Sequence, residues 1–529
     1  MEKQRIWKIF RRVIFWVAVP LLALHLVIFA LIQIPAVQTL ITEKLVNILS
    51  GNINGEIEIG RLHYKLFNTI SIDNISILST EESPLLDSLK QNFHQSDTLL
   101  YVKRADATLN IWELFDNRLV FNNVTINGGT FNLQNEEIKI TNLERILNLK
   151  NGPKAEKSPG KMTISAQKVA LHNFRFTLNN PFKMSKVEGE ECIDFADLML
   201  YGIEMDAENI IFKEGRLSLD LKSLSAVDKS GYSLQELKGK FSLGDGKAML
   251  EEMVLRDNFS TINADCFYMG YKTPRSFAYF CDSIQLHLSA NNSYFSFRTL
   301  GYLREEFKSN NIGLFFSGSV DGPIAALQSE SLNVSLENGI TNLNVKFRID
   351  SLPNPRQALL QGQILNGFTC GKDVAMIVSQ FSGNEEIPAI RNFAPFKIFN
   401  LDGKISGRFH KLNFLTALHS KELFIRSGIT YENLQDRILL GGWANVEHFN
   451  AGALLKNAPI TSLKATLPSL TITTLKGGRG TTVNADSLKI RELEAGGYTY
   501  RNIVADGQYT KGLSKVRITS NDPALKFAM

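Results

Sequence analysis

Eight histidines, at positions 25, 63, 94, 172, 287, 410, 419 and 448, are the residues best suited to proton transfer or metal ligation. They are scattered, with no His-Glu-x-x-His and no metal-ligand spacing among them. Gly318-Ser319-Val320-Asp321-Gly322 places its serine one position too early for a nucleophile elbow. Gly477-Gly478-Arg479-Gly480-Thr481-Thr482 is glycine-rich like a phosphate cradle but lacks the P-loop lysine, and reads as a hairpin turn. No carboxylate pair stands out from solvated strand faces. These residues predict no enzyme, and they call for no metal or other cofactor.

Four cysteines, Cys192, Cys266, Cys281 and Cys370, contain no Cys-x-x-Cys. Cys266 and Cys281 are symmetric about Thr273-Pro274. A simple hairpin turning there would set them opposite each other at about 4.5–5.5 Å between Cα atoms, within disulfide reach. An oxidising compartment permits that bond; the alternative is two small side chains packed in a sheet.

The elements that must carry these residues are strands. Ile57/Ile59, Ile70/Ile72, Ile75/Ile77, Val124/Ile126, Phe131/Leu133 and Phe174/Phe176/Leu178 alternate with polar neighbours, with one slip between Ile72 and Ile75. So do Leu217/Leu219/Leu221, Ile284/Leu286/Leu288, Leu332/Val334/Leu336 and Leu343/Val345/Phe347/Ile349. Asn, Gly, Asp and Ser lie between the runs, as at Asn127-Gly128-Gly129 and Gly244-Asp245-Gly246. Short alternating runs with turn signals predict antiparallel β structure. Helices are expected only as short pieces, at 112–115, 143–149 and near 293–307 and 386–399. The stretch 151–161 (NGPKAEKSPGK) reads as a linker.

The chain has 529 residues, too many for one ordinary core. Its net charge of +5 implies no nucleic-acid partner, because Lys3, Arg5, Lys8, Arg11 and Arg12 stand against Glu2 alone in residues 1–12 and hold most of it. Residues 13–32 read VIFWVAVPLLALHLVIFALI, with Val13, Phe15, Trp16, Leu22, Leu26, Phe29 and Ile32 among the apolar side chains. As a helix they span ~30 Å, a bilayer's hydrocarbon thickness. The run is too long for a cleavable signal peptide. The basic cluster before it predicts a cytoplasmic amino-terminus and translocation of the rest of the chain. The expected organisation is a basic tail (1–12), a transmembrane signal-anchor (13–34), an amphipathic helix (35–50), a first β region (51–150), the linker (151–161) and a continuing β region (162–529). On the order of 30 strands would need to curl, close or split into layers. From the pattern alone, a series of sandwiches and one long folded sheet are equally acceptable.

Residues 34–77 read IPAVQTLITEKLVNILSGNINGEIEIGRLHYKLFNTISIDNISI. The span, the Pro-x-Val-Gln helix, Gly51, Gly55, Ile57-Glu58-Ile59-Gly60, Phe67 and an alternating strand, in that order, resemble the opening of the AsmA-like superfamily. Within it they resemble the TamB type, the inner-membrane subunit of the translocation and assembly module. Ser96-Asp97-Thr98-Leu99-Leu100-Tyr101-Val102-Lys103-Arg104, Asn110-Ile111-Trp112-Glu113-Leu114 and Leu224-Ser225-Ala226-Val227-Asp228-Lys229-Ser230-Gly231-Tyr232 look like the Bacteroidetes form. The match covers residues 1–260 and continues by pattern to 529.

The resemblance implies a mainly β fold: an elongated, folded-over antiparallel sheet forming a β-groove after an N-terminal transmembrane helix, with few short helices. It implies a single-pass inner-membrane protein with its bulk in the periplasm, carrying phospholipid toward the outer membrane. Leu217, Leu219, Leu221, Leu332, Val334, Leu336, Val345 and Phe347 are the expected groove lining. The resemblance also implies an insertase-type outer-membrane β-barrel partner, met through a carboxy-terminal domain that this chain is expected to lack as a fragment. Two alternatives stand beside the conduit: an assembly factor for outer-membrane β-barrel proteins, and an anchored structural β-sandwich protein.

Overall fold

The computed structural model describes residues 55–529 apart from 66–68, 80–97, 111–112, 114–117, 138–139, 147–162, 183–190, 274–275, 277–278, 338–339, 353, 355–356, 382–395, 455–459, 477–479 and 511–512, together with Ile34 and Thr39. The basic tail, the apolar run 13–32 and the linker 151–161 therefore lie outside the described residues. Among those described, no helix is long and apolar enough to cross a membrane.

The protein is mainly β, with 26 strands among the described residues. It divides into two compact units: Met1–Asn258 with Tyr302–Glu305, and Phe259–Gly301 with Glu306–Met529. Unit 1 holds β1 (Gly55–Lys65), β2 (Thr69–Ser79), β3 (Thr98–Leu109), β4 (Arg118–Glu137), β5 (Ile140–Thr141), helix α1 (Asn142–Ile146) and β6 (Thr163–Asn179). It continues with β7 (Asp197–Lys213), β8 (Arg216–Asp228), β9 (Ser233–Leu234), β10 (Glu236–Gly244) and β11 (Lys247–Arg256).

Neighbouring strands of unit 1 run β1–β2–β3–β4–β6–β7–β8–β10–β11, antiparallel except for β4–β6. That parallel pair departs from the all-antiparallel expectation. Residues 138–162, which include β5 and α1, are long enough to form the crossover that parallel pairing requires. Residues 151–161, read as a linker, fall within this connection. Thr141 and Glu144 start α1 with a capping box: the Thr141 hydroxyl accepts from the Glu144 amide (3.2 Å), and the Glu144 carboxylate accepts from the Thr141 amide (3.1 Å).

Unit 2 holds β12 (Thr261–Gly270), α2 (Phe280–Ser283), β13 (Gln285–Ser296), two 3₁₀ turns (Phe297–Tyr302, whose last residue belongs to unit 1, and Glu305–Phe307, whose first residue does), β14 (Gly313–Gly322), β15 (Ala326–Leu336), β16 (Asn342–Asp350) and β17 (Leu359–Thr369). It continues with α3 (Gly371–Phe381), β18 (Phe399–Arg408), β19 (Lys411–His419), β20 (Leu423–Asn433), β21 (Arg437–Phe449), α4 (Ala451–Leu454), β22 (Ile460–Leu475), β23 (Gly480–Ala495), β24 (Tyr498–Thr510), β25 (Leu513–Asp522) and β26 (Leu525–Ala528). From β12 to β26 each strand pairs antiparallel with the next.

Several local expectations are corrected. Residues 293–296 belong to β13, and the 3₁₀ turn begins only at Phe297. Ile284 is the C-cap of α2 and not a strand residue. Helix α3 was not expected, because Val374 to Val378 are apolar without a break and show no helical period. The segment expected to be helical at 386–399 lies outside the described residues up to 395, and Phe399 opens β18. The motif at 224–232 ends in a turn: the Gly231 amide donates to the Asp228 carbonyl (2.9 Å), the Asp228 carboxylate accepts from the Ser230 amide (2.9 Å), and Gly231 sits at φ +86°.

Candidate functional site: an open apolar sheet face

Alternation along each strand and a fixed register across strands sort the side chains of each sheet onto two faces. In unit 2 one row crosses ten strands, β16 to β25, through Phe347, Ile405, Phe414, Ile429, Leu470 and Val516, with Gly362, Gly442, Ala485 and Gly507 on the strands between. It carries no charge and no hydroxyl. The row one residue away, on the opposite face, is Arg348, Gln361, Ser406, Asn413, Thr430, Gly441, Thr471, Asn484, Gln508 and Lys515.

The apolar face is more open at its middle than at the strand ends. Ile429 is 39% exposed and Phe347, Ile405, Phe414 and Leu470 are half-buried, whereas Leu336, Phe399, Leu423 and Ile438, all near strand ends, are buried. Where β23 to β26 meet, the face forms a concavity of about 270 Å³ lined by Ile490, Leu493, Tyr500, Ile503, Ala505, Ile518, Leu525 and Phe527.

Unit 1 repeats the arrangement. One row runs from Leu62 through Ile72, Ala105, Ile126 and Leu171 to Met205 and Leu224. Leu217, Leu219 and Leu221 share a face of β8: Leu217 is opposite Phe212 and Leu243, Leu219 opposite Phe241, and Leu221 opposite Ala207 and Gly239. Ser218 and Asp220 face the other way, opposite Ser242 and Lys240.

The remaining five expected lining residues fall on the apolar face of unit 2. Leu332 is opposite Gly318 and Val345, Val334 opposite Phe316 and Leu343, Leu336 opposite Leu314, and Phe347 opposite Gly362. The row through Phe414, Ile429 and Leu470 and the concavity around Phe527 were not anticipated. The alternation of Leu412, Phe414 and Leu418 was their available signal, interrupted by Thr416, whose hydroxyl is satisfied by Ser427 on the next strand (2.7 Å).

The cross-strand charge pairs lie on the polar faces, whereas Asp228 and Asp522, at the ends of β8 and β25, share the parity of the apolar residues and are buried. Lys240 meets Glu252 (2.6 Å) and His172 meets Glu204 (2.8 Å) in unit 1; Lys464 meets Glu492 (2.6 Å), His287 meets Asp321 (2.6 Å) and Lys346 meets Glu330 in unit 2. At Asp106, burial works against ionisation, but Lys65 (2.7 Å) and Arg104 (3.1 Å) outweigh it and hold the carboxyl at about 2. Burial, then Asp257 and Tyr302, push the Tyr232 hydroxyl up to about 12.

Among the described residues no group of three or more His, Cys, Asp or Glu is placed to hold a metal. The possible Cys266–Cys281 bond is absent: Cys266 is opposite Ser289, Cys281 lies in α2, and no disulfide joins any of the four cysteines. The helix between β12 and β13 removes the simple hairpin that the pairing required.

An uncharged, partly open sheet face backed by a charged one suits an apolar guest held without chemical change. No protein-family model, curated protein or solved structure matches the chain.

Proposed function

We propose that this protein is a membrane-anchored lipid conduit, carrying phospholipid from the inner toward the outer membrane of a two-membrane bacterial envelope. Acyl chains lie against the apolar face of a folded-over sheet. The observation that supports this most directly is the uncharged row from Phe347 to Val516, whose central side chains remain half-open. Each methylene of an acyl chain buried there contributes roughly 0.8 kcal/mol. An evenly apolar track repeats that gain from strand to strand, so lipid advances without meeting a deep trap. Residues 13–34 serve as the anchor, with the five preceding cations fixing its direction. An outer-membrane β-barrel of the insertase type is the partner that the AsmA-like resemblance implies.

A photo-crosslinking amino acid at Leu219, with Ser218 as the opposite-face control, tests this in cells labelled with radioactive phosphate. Labelled lipid at Leu219 and not at Ser218 is expected. Absence of lipid at both positions, with client outer-membrane proteins captured instead, sinks the conduit in favour of an assembly factor.

A further inference from the structure

The parity of the apolar residues in unit 1 slips along each of β2, β3, β4, β6 and β7, and on β2, β3, β4 and β6 one of these slips falls in line; β4, β6 and β7 slip a second time, at Asn122, Gln167 and Asn209. On β2 the apolar side chains are Ile70 and Ile72, then Ile75 and Ile77; on β4 they are Val124 and Ile126, then Phe131 and Leu133; on β6 they are Val169 and Leu171, then Phe174 and Phe176. The residue inserted at the slip is left-handed on four strands: Asn74 (φ +56°), Gly128 (φ +69°), Asn173 (φ +50°) and Gly202 (φ +59°). On β3 the inserted residue is Lys103.

The register shows the alignment. Asn74 and Lys103 fall together between the pairs Asp73–Arg104 and Ile75–Val102. Gly128 and Asn173 fall together between Asn127–His172 and Gly129–Phe174. Gly60 on β1 lies opposite the same gap. A single extra residue bends one strand; aligned across β2, β3, β4 and β6, the extra residues bend the sheet along a line that shifts by one pair at β7, where Gly202 lies between Phe174–Ile203 and Phe176–Leu200, while the slip keeps the apolar residues on one face on both sides of it.

Side-chain size is not what these positions select. A Cβ at Gly128 meets nothing nearer than Lys103 at 3.5 Å, and one at Gly202 meets nothing within 4 Å. Asparagine, which tolerates left-handed φ, already serves on two strands. Polar ties brace the line: the Tyr101 hydroxyl donates to Asn74 Oδ1 (2.9 Å), and Glu204 accepts from the Asn173 amide (2.8 Å).

We propose that Asn74, Gly128 and Asn173, with Gly202 one pair beyond, form a crease in unit 1, and that their left-handed backbone sets the distance between the two flanks of its apolar face. Resting on the proposed lipid function, that distance sets how much acyl chain the face takes up.

The test places spin labels, as noncanonical amino acids, at the exposed Gln167 and Phe182, on the two sides of Asn173 in the full-length protein. Asn173→Gly and Gly128→Asn keep left-handed φ accessible and are expected to leave the label distance unchanged. Asn173→Val and Gly128→Val are expected to lengthen and broaden it and to change the phospholipid recovered per mole of protein at least twofold. If valine unfolds the sheet by circular dichroism, Asn173→Ala and Gly128→Ala are read in its place. A folded valine or alanine variant with the unchanged distance overturns the crease. A changed distance in a protein that never carries phospholipid, even unmutated, leaves the crease standing and removes the lipid function.

Discussion

Asp106 shows how the polar face acts at the scale of one residue. Its folded carboxyl titrates near 2, below its ordinary value of 3.8, because Lys65 and Arg104 favour the charged form more than burial disfavours it. A depressed carboxyl stabilises the fold above its unfolded pKa and loses that contribution as pH falls toward the folded one. The pH window is therefore about 4 down to 2. With a side chain 23% exposed, screening discounts the contribution to roughly 1 kcal/mol. Asp106→Asn is expected to lower the urea midpoint of unit 1 at pH 7 and to narrow its difference from the unmutated protein below pH 3. A constant difference across that range would place the effect elsewhere.

The elements raise two further expectations. Helix α3 is tied to the β15–β16 turn through a buried pair: the Thr341 hydroxyl donates to the Asp373 carboxylate (2.5 Å), and Asp373 is 1% exposed. Thr341→Val removes a donor from a carboxylate that water does not reach, and should cost about 1–3 kcal/mol in the unfolding of unit 2. An unchanged urea midpoint would show that the tie is dispensable. The strands provide a comparison of neighbours. Ile429→Asp puts a charge at the open middle of the apolar row, and Thr430→Asp puts the same charge on the polar face. Phospholipid co-purifying with the protein should fall several-fold in the first variant and hold in the second; equal loss in both would argue against a lipid-bearing face.

For the molecule as a whole, the proposed anchor makes a simple prediction. Removing residues 1–34 should shift the protein from the carbonate-washed membrane pellet to the soluble fraction. It should leave intact the strand ladders that begin at Gly55. A shortened protein still resistant to carbonate would mean that an apolar sheet face, and not the apolar run, holds it to the membrane. The stretch 151–161 carries a lesson at this scale as well. Its Lys, Pro and Gly content marks a loop, yet the strands on either side of it pair directly in parallel. Composition reports how a segment meets water and says nothing of where its ends are held.

The sequence by itself determined the class of structure and the two faces. Alternation with period two is a local property, and Leu217, Leu219 and Leu221 separate from Ser218 and Asp220 without knowledge of any partner strand. The absence of a His-Glu-x-x-His, a nucleophile elbow or a P-loop could likewise be read directly. Tertiary structure decided what depends on register. Cys266 and Cys281 could be matched across a hairpin on spacing alone, but Cys281 falls in α2 and not in the strand that pairs with β12. The row from Phe347 to Val516 exists only because ten strands set residues far apart in sequence side by side. Along the chain only the slip between Ile72 and Ile75 is read; those at Gly128 and Asn173 become evident from the register. Hydrogen bonding between strands aligned them into one crease, since a ladder fixes each strand's position against its neighbour and sequence spacing alone does not.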